Sequence, residues 1–152
     1  MGTDFLIKNA KEIQVVIDNN APEIEKLDQE IIVATQIQKN LLPKKLPSLP
    51  KLLFGSLNIP AQKIGGDFFD FMQKEDGGWV AICGDATGHG LTSGNVVSIT
   101  KTAMSSLVDE APVPTLDSLN DTLLKMNIGL NRMCLNIANI GKDSIRFSSA
   151  GM

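Results

Sequence analysis

The chain has 152 residues, of which 43% are hydrophobic and 20% are charged, and its formal net charge is −3. This composition is typical of one globular domain with a helical appendage and argues against wholesale disorder. No basic stripe could neutralise a run of phosphates, so we do not expect nucleic acid as a partner. No apolar run approaches the roughly 20 residues that span a bilayer, and no signal-peptide pattern begins the sequence. We therefore expect a cytoplasmic protein.

Two helices are predicted before the globular part. Apolar residues within 3–20 recur at helical spacing, which predicts a first helix, and residues 19–22 predict a break after it. A second helix is predicted over 22–42. Apolar residues in this second helix alternate in steps of three and four at Ile24, Leu27, Ile31 and Ala34, and Gln38 interrupts them. The stripe covers about two and a half heptads, fewer than the three or four that define a coiled coil. Two interpretations stay open: a helix packed on its own domain, or one that mediates homodimerisation or signal input.

Prolines at 43, 47 and 50 predict an extended linker, so we divide the chain into a helical linker over residues 1–45 and a globular part over 46–152. Within the globular part, we predict strands over 52–58, 67–72 and 79–84, helices over 91–110 and 115–131, and a strand pair over 133–140 and 144–149. Segregated strands and helices favour an α+β fold with a mainly antiparallel sheet.

The metal-binding chemistry available to this chain is limited by its residue types. Cys83 and Cys134 lie in apolar stretches without CxxC spacing, so we expect small buried hydrophobic residues rather than a disulfide or zinc site. There is one histidine, His89. Any metal would therefore be held by oxygen ligands, which points to the aspartates.

Two glycine-rich motifs place aspartates at the ends of predicted strands. The run GGDFFDF at 65–71 puts two glycines before Asp67, and GDATGHG at 84–90 puts Asp85 at the end of an apolar strand. Strand alternation separates Asp67 from Asp70, so only one of them can readily face a given site. If the two strands form a hairpin, Asp67 and Asp85 lie at the same edge of the sheet and could share a hard divalent cation. Each motif by itself is more often an ordinary loop.

Together the two motifs resemble the type 2C metal-dependent protein serine/threonine phosphatases. The closest likeness is to their bacterial branch of stage II sporulation protein E-like and sigma-factor-regulating phosphatases. Three further runs support it: ATQIQKNLLP at 34–43, IPA at 59–61 and SSAG at 148–151. The resemblance covers residues 30–152 and is specific because several motifs occur in order.

The resemblance implies a four-layer α-β-β-α sandwich with two Mn²⁺ or Mg²⁺ ions at one end. Asp67 matches a metal-ligating aspartate, Asp85 the aspartate that bridges both ions, and Ala86 the residue that supplies a backbone carbonyl. The implied reaction is attack of a metal-activated water on phosphoserine or phosphothreonine, with no further catalytic side chain. The implied substrate is a phosphoprotein, by kinship an anti-sigma-factor antagonist.

The sequence departs from the family pattern in three places. The remaining metal-ligating aspartates of the family have no counterpart, so we expect residues 46–152 to be the N-terminal part of the domain and this chain alone to be inactive. Met152 stands where the family usually has histidine. The other branch of the family has a candidate acid histidine at the position of Thr87, so His89 receives no role. A non-catalytic module for dimerisation or partner binding is the alternative function.

Overall fold

The structure is a computed structural model that describes residues 2–60 and 62–151. Ala61 and Met152, which entered the motif comparison, lie outside the described residues. The chain divides into two compact units, Met1–Ala34 and Thr35–Met152. The described residues form three helices and four strands: α1 (Gly2–Leu41), β1 (Asp67–Gln73), β2 (Trp79–Ala86), α2 (Leu91–Leu107), α3 (Pro112–Lys125), β3 (Met133–Ile140) and β4 (Ile145–Ala150).

The predicted break at residues 19–22 is wrong, because α1 continues through Pro22 as one 40-residue helix. An interior proline costs a helix about 3 kcal/mol, and the good helix formers Glu25, Lys26 and Leu27 that follow it offset part of that cost. Side-chain bonds support the turns before the proline: Asn20 Nδ2 donates to the carbonyl oxygen of Val16 at 2.7 Å, and Gln14 Nε2 donates to Asp18 at 2.8 Å. None of the described helices combines the length and the hydropathy that crossing a bilayer requires.

The four strands form one antiparallel sheet in the order β1-β2-β3-β4. The alternating apolar pattern placed these strands correctly, and β3 has the bounds that were predicted for it. The strand predicted over 52–58 is wrong. Only an isolated bridge between Leu49 and Leu52 forms there, and Leu53 and Leu57 are exposed. Their apolar spacing has no neighbouring strand with which to pair in the described part of the chain.

Both helices after β2 differ from their predicted bounds at the ends. The second helix was predicted to begin at residue 115, yet α3 begins at Pro112, since proline is favoured in the first helical turn, where its missing N–H has no partner to lose. The helix predicted to reach residue 131 ends at Lys125. Asn127 and Gly129 follow with positive φ angles of 49° and 67°, which an α-helix does not accommodate.

The hydrophobic core lies between one face of the sheet and the helices α2 and α3. Its members share burial and inward orientation: Phe68, Val80, Ile82, Ala86, Val96, Val97, Met104, Leu119, Leu135 and Ile137. Of the four layers expected, the described residues therefore form one sheet and one helical layer of an α+β fold. The prediction that both cysteines are buried is wrong: Cys83 is exposed and Cys134 is half-buried. Strand alternation turns Cys83 to the face that α2 and α3 do not cover.

Candidate metal centre

Asp67 and Asp85 lie directly opposite each other at one edge of the sheet. Asp67 is the first residue of β1, Asp85 is the last but one of β2, and the two are register partners. Opposed residues on one face of an antiparallel pair have Cβ atoms about 4.5–5.5 Å apart, and like charges in this position repel. Both side chains are exposed. We call Gly66, Asp67, Asp85 and Ala86 the carboxylate edge, and a bound cation would relieve its repulsion.

Gly66 brings the two strands of the carboxylate edge unusually close together. The amide of Ala86 donates to the carbonyl oxygen of Gly66 at 3.0 Å. A β-carbon at position 66 would lie 2.3 Å from the carbonyl oxygen of Ala86 and 3.1 Å from Oδ1 of Asp85. The carbonyl and the carboxylate therefore border the same small space, which only glycine leaves open. A donor set of carboxylate and carbonyl oxygens fits a hard divalent cation such as Mg²⁺ or Mn²⁺.

The loop before Asp67 is held by Gln38, near the end of α1. The backbone amide of Gly65 donates to Oε1 of Gln38 at 3.0 Å, and Nε2 of Gln38 donates to the carbonyl oxygen of Gly65. Helix α2 approaches the same place: a β-carbon at Gly94 would lie 3.5 Å from Nε2 of Gln38 and 2.7 Å from Cγ2 of Ile64. Sequence reasoning treated Gln38 only as an interruption of the apolar stripe.

Asp70 lies away from the carboxylate edge, on the helix side of the sheet. Its side chain is 2% exposed; Oδ2 forms an ion pair with Nζ of Lys101, and Oδ1 accepts a bond from the amide of Phe71 at 2.9 Å. The two aspartates of the GGDFFDF motif thus face opposite sides of the sheet, as strand alternation predicts. Asp67 remains with the carboxylate edge, and Asp70 connects β1 to α2.

Comparisons with known proteins find relatives of this chain in sequence and in structure. No protein-family model matches the sequence. Phosphoserine phosphatase RsbU of Bacillus subtilis (strain 168) is 28% identical over 132 residues, which cover 84% of this chain and 39% of RsbU. The solved SiaA-PP2C domain of Pseudomonas aeruginosa matches with a TM-score of 0.65 and 18% identity over 86% of this chain and 56% of that chain. This chain is homologous to RsbU and has part of the type 2C phosphatase fold.

This chain spans about two fifths of the length of RsbU. A second solved structure, the RsbU and RsbW domains of Rv1364c from Mycobacterium tuberculosis, matches with a TM-score of 0.49 and 23% identity. That match covers 60% of this chain and 26% of the other.

His89 lies in the turn between β2 and α2 and is exposed. The turn is held by Thr87, whose amide donates to the carbonyl oxygen of Arg132 at 2.9 Å and whose Oγ1 accepts from the amide of Arg132 at 2.8 Å. Gly88 and Gly90 supply its positive φ angles of 87° and 72°. The backbone conformation of the turn thus depends on the glycines and on Thr87, and His89 has no part in it.

The carboxylate edge alone has fewer ligands than the two-ion site that the sequence resemblance implies. Across residues 2–60 and 62–151, no group of three or more Asp, Glu, His and Cys side chains could hold a metal ion. Asp67 and Asp85 bring two negative charges, and two divalent ions carry four positive ones. An ion held by this set alone would keep most of its water ligands.

Proposed function

We propose that the protein containing this chain is a metal-dependent phosphatase acting on phosphoserine or phosphothreonine of a regulatory protein. The observation that supports this most is the register pairing of Asp67 with Asp85 over Gly66. Such a pair gathers negative charge and leaves space for a cation, which is what two-metal hydrolysis needs at one end of a sheet. The homologue RsbU is, by its name, a phosphoserine phosphatase.

Each residue of the carboxylate edge has a proposed role. Asp67 ligates one ion, Asp85 bridges two ions, and Ala86 contributes its backbone carbonyl oxygen. Divalent ions at such a site, here Mn²⁺ or Mg²⁺, lower the pKa of water and neutralise phosphate oxygens. Gly66 lets its strand approach the oxygen atoms of Asp85 and Ala86 without a side chain between them, and Gln38 fixes the loop from which Asp67 projects.

The division of the protein follows from the same proposal. Residues 1–45 form a helical linker and residues 46–152 the N-terminal part of the phosphatase domain, with further metal ligands in the rest of a longer protein. This chain alone is then inactive. The proposed substrate is a phosphorylated anti-sigma-factor antagonist, because the motifs at 65–71 and 84–90 resemble the sigma-factor-regulating branch of the family.

Calorimetric titration with Mn²⁺ tests the metal site. The chain and a version extended to the length of RsbU are each titrated, with Asp85→Asn and Asp67→Asn as site variants and Asp143→Asn as a control. Asp143 is an exposed aspartate in the turn at the opposite end of the sheet. We expect tight binding and phosphoserine phosphatase activity only in the extended protein, lost in both site variants and kept in the control. Activity retained in both site variants would refute the site.

A non-catalytic module for dimerisation or partner binding is the second candidate. The observation in its favour is that α1 exposes apolar side chains, among them Ile24 at 58% and Leu27 at 52%. In this case the helix over residues 22–42 mediates homodimerisation, and Ile31→Asp lowers the mass measured by light scattering. An extended protein that self-associates and binds no Mn²⁺ would favour this candidate over the enzyme.

A further inference from the structure

A small cleft lies beside Asp67, between the end of α1, the loop before β1 and helix α2. The residues that line it include Gln38, Lys39, Asn58, Lys63, Asp67 and Val97. Its volume is about 40 Å³, enough for one small polar group of a ligand. We call this space the lysine cleft. All of its lining residues belong to the compact unit Thr35–Met152.

The lysine cleft adjoins the carboxylate edge but is not the same place. All members of the carboxylate edge are described residues, and of these only Asp67 lines the cleft. A cation shared by Asp67 and Asp85 would lie between the two carboxylates, and the phosphate of a substrate would lie over it. The cleft is therefore next to the place of the phosphate. A group that enters the cleft belongs to a neighbouring part of the substrate.

Two lysines give the lysine cleft its positive charge. Lys39 lies in the last turn of α1, Lys63 lies four residues before Asp67, and both side chains are exposed. Asp67, as a ligand of a divalent cation, would leave no net negative charge in the cleft. A cleft lined by charges of one sign raises the local concentration of ligands of the opposite sign. The charge of this cleft therefore selects an anionic group.

The other walls of the lysine cleft favour an anion with oxygen atoms. Gln38 serves as a fixed wall, because its side-chain amide already bonds both backbone groups of Gly65. Asn58 is half-buried, and its side-chain amide can donate to an oxygen atom. Val97 is fully buried and borders the cleft on the side of the core. A carboxylate suits this space, because it is compact and accepts bonds from ammonium and amide donors.

We infer that the lysine cleft binds the carboxylate of an aspartate or glutamate that lies close to the phosphoserine in the substrate. This inference rests on the proposed phosphatase function and adds a substrate preference to it. The cleft borders Asp67 itself, and two residues of extended chain span only about 7 Å. The acidic residue therefore lies within two positions of the phosphoserine. Lys39 and Lys63 determine specificity by binding this residue, and the reacting phosphate lies outside the cleft.

Binding of phosphonate peptides to the extended protein in the presence of Mn²⁺ tests the lysine cleft. In these peptides a C–P bond replaces the O–P bond of phosphoserine, so the peptides are not hydrolysed. Each carries aspartate or asparagine at one of the two positions before or after the phosphonate. At one position we expect aspartate to bind about fivefold more tightly than asparagine, as an exposed ion pair does. High salt should remove most of this preference. Equal affinities at every position overturn the inference.

Removal of the two lysines tests whether they cause the preference. Lys39→Met/Lys63→Met should lower the affinity for the aspartate peptide to that for the asparagine peptide. Lys142→Met is the matched control, because Lys142 is an exposed lysine in the turn between β3 and β4, at the opposite end of the sheet. We expect the control to keep the preference. A double variant that weakens both peptides equally would show that the cleft binds the phosphate, which overturns the inference.

Reversal of the charge gives a second test. Lys39→Glu/Lys63→Glu should invert the preference, so that a peptide with lysine at the same position binds more tightly than the aspartate peptide. A preference for aspartate that survives this change contradicts the inference. Hydrolysis of a phosphoserine peptide is measured separately. An inactive protein that prefers the aspartate peptide refutes the proposed function alone, whereas an active protein without the preference refutes the lysine cleft alone.

Discussion

The side-chain amide of Gln38 bonds both the amide nitrogen and the carbonyl oxygen of Gly65. It therefore occupies the position that a neighbouring strand would take, and it satisfies two backbone groups of a loop that has no strand partner. Gly65 is two residues before Asp67. The hydrogen bonds that fix the loop therefore also fix the position of the first carboxylate. Gln38 belongs to α1, which makes the end of that helix part of the support of the carboxylate edge.

We predict that Gln38→Ala weakens Mn²⁺ binding by about 10-fold or more in the extended protein, as loss of a group that orients a metal ligand generally does. The helix content by circular dichroism should stay unchanged. Gln36→Ala is the matched control, because Gln36 is exposed and its side-chain amide donates to Oδ1 of Asn40 on the same helix. Equal metal affinity in the two variants would show that the Gln38 bonds do not orient Asp67.

We predict that Gly66→Ala destabilises the protein by about 1–3 kcal/mol, the range typical of an overpacked site. The added carbon would lie 2.3 Å from the carbonyl oxygen of Ala86, so the two strands must move apart. Gly55→Ala, where a β-carbon meets no atom within 4 Å, should leave the free energy of unfolding nearly unchanged. Urea denaturation measures both, and equal stability of the two variants would contradict the close approach at Gly66.

We predict that Lys101→Met destabilises the fold by about 3 kcal/mol, because it leaves the carboxylate of Asp70 buried without its cation. Lys101 itself is 28% exposed, which places the effect at the lower end of the range for buried pairs. The double variant Asp70→Asn/Lys101→Met should recover part of the loss, since no charge remains buried. Urea denaturation of the single and double variants gives the coupling free energy between Asp70 and Lys101. Strictly additive losses of unfolding free energy would show that the two side chains do not interact.

We predict that Phe68→Ala costs about 3–5 kcal/mol of unfolding free energy, the usual range for removing a buried aromatic side chain. Phe68 is 1% exposed in the core between the sheet and α2. Phe147→Ala is the control on the same sheet, because Phe147 is 64% exposed on β4. A thermal or urea transition shifted equally by both would mean that the two faces of the sheet are buried to the same extent.

Sequence patterns predicted the features that depend on residues close together in the sequence. They missed the features that depend on residues far apart in the sequence. Alternation placed β3 correctly and separated Asp67 from Asp70, because strand period is a local property. Local rules do not say which face of a sheet is covered, so Cys83 was predicted as buried. The hydrogen bonds of Gln38 join residues 27 positions apart, and no local pattern reveals them. A cytoplasmic location stays a prediction.

The penalty of one proline was overestimated for a different reason. Residues 19–22 were expected to separate two helices, with Pro22 in the first turn of the second, which is right for short helices with few hydrogen bonds to lose. In a 40-residue helix the same local cost of about 3 kcal/mol is offset by the hydrogen bonds of the many turns that remain intact.

The hairpin that joins Asp67 to Asp85 also has a consequence for the order in which the chain folds. Its two aspartates are 18 residues apart, and closing so short a loop costs little chain entropy. β1 and β2 can therefore pair before α2, α3 and β3 are in place. The repulsion between the two carboxylates then opposes an early step, and Mg²⁺ in the refolding buffer should accelerate it. Stopped-flow refolding with and without Mg²⁺ measures this effect, which should disappear in Asp85→Asn.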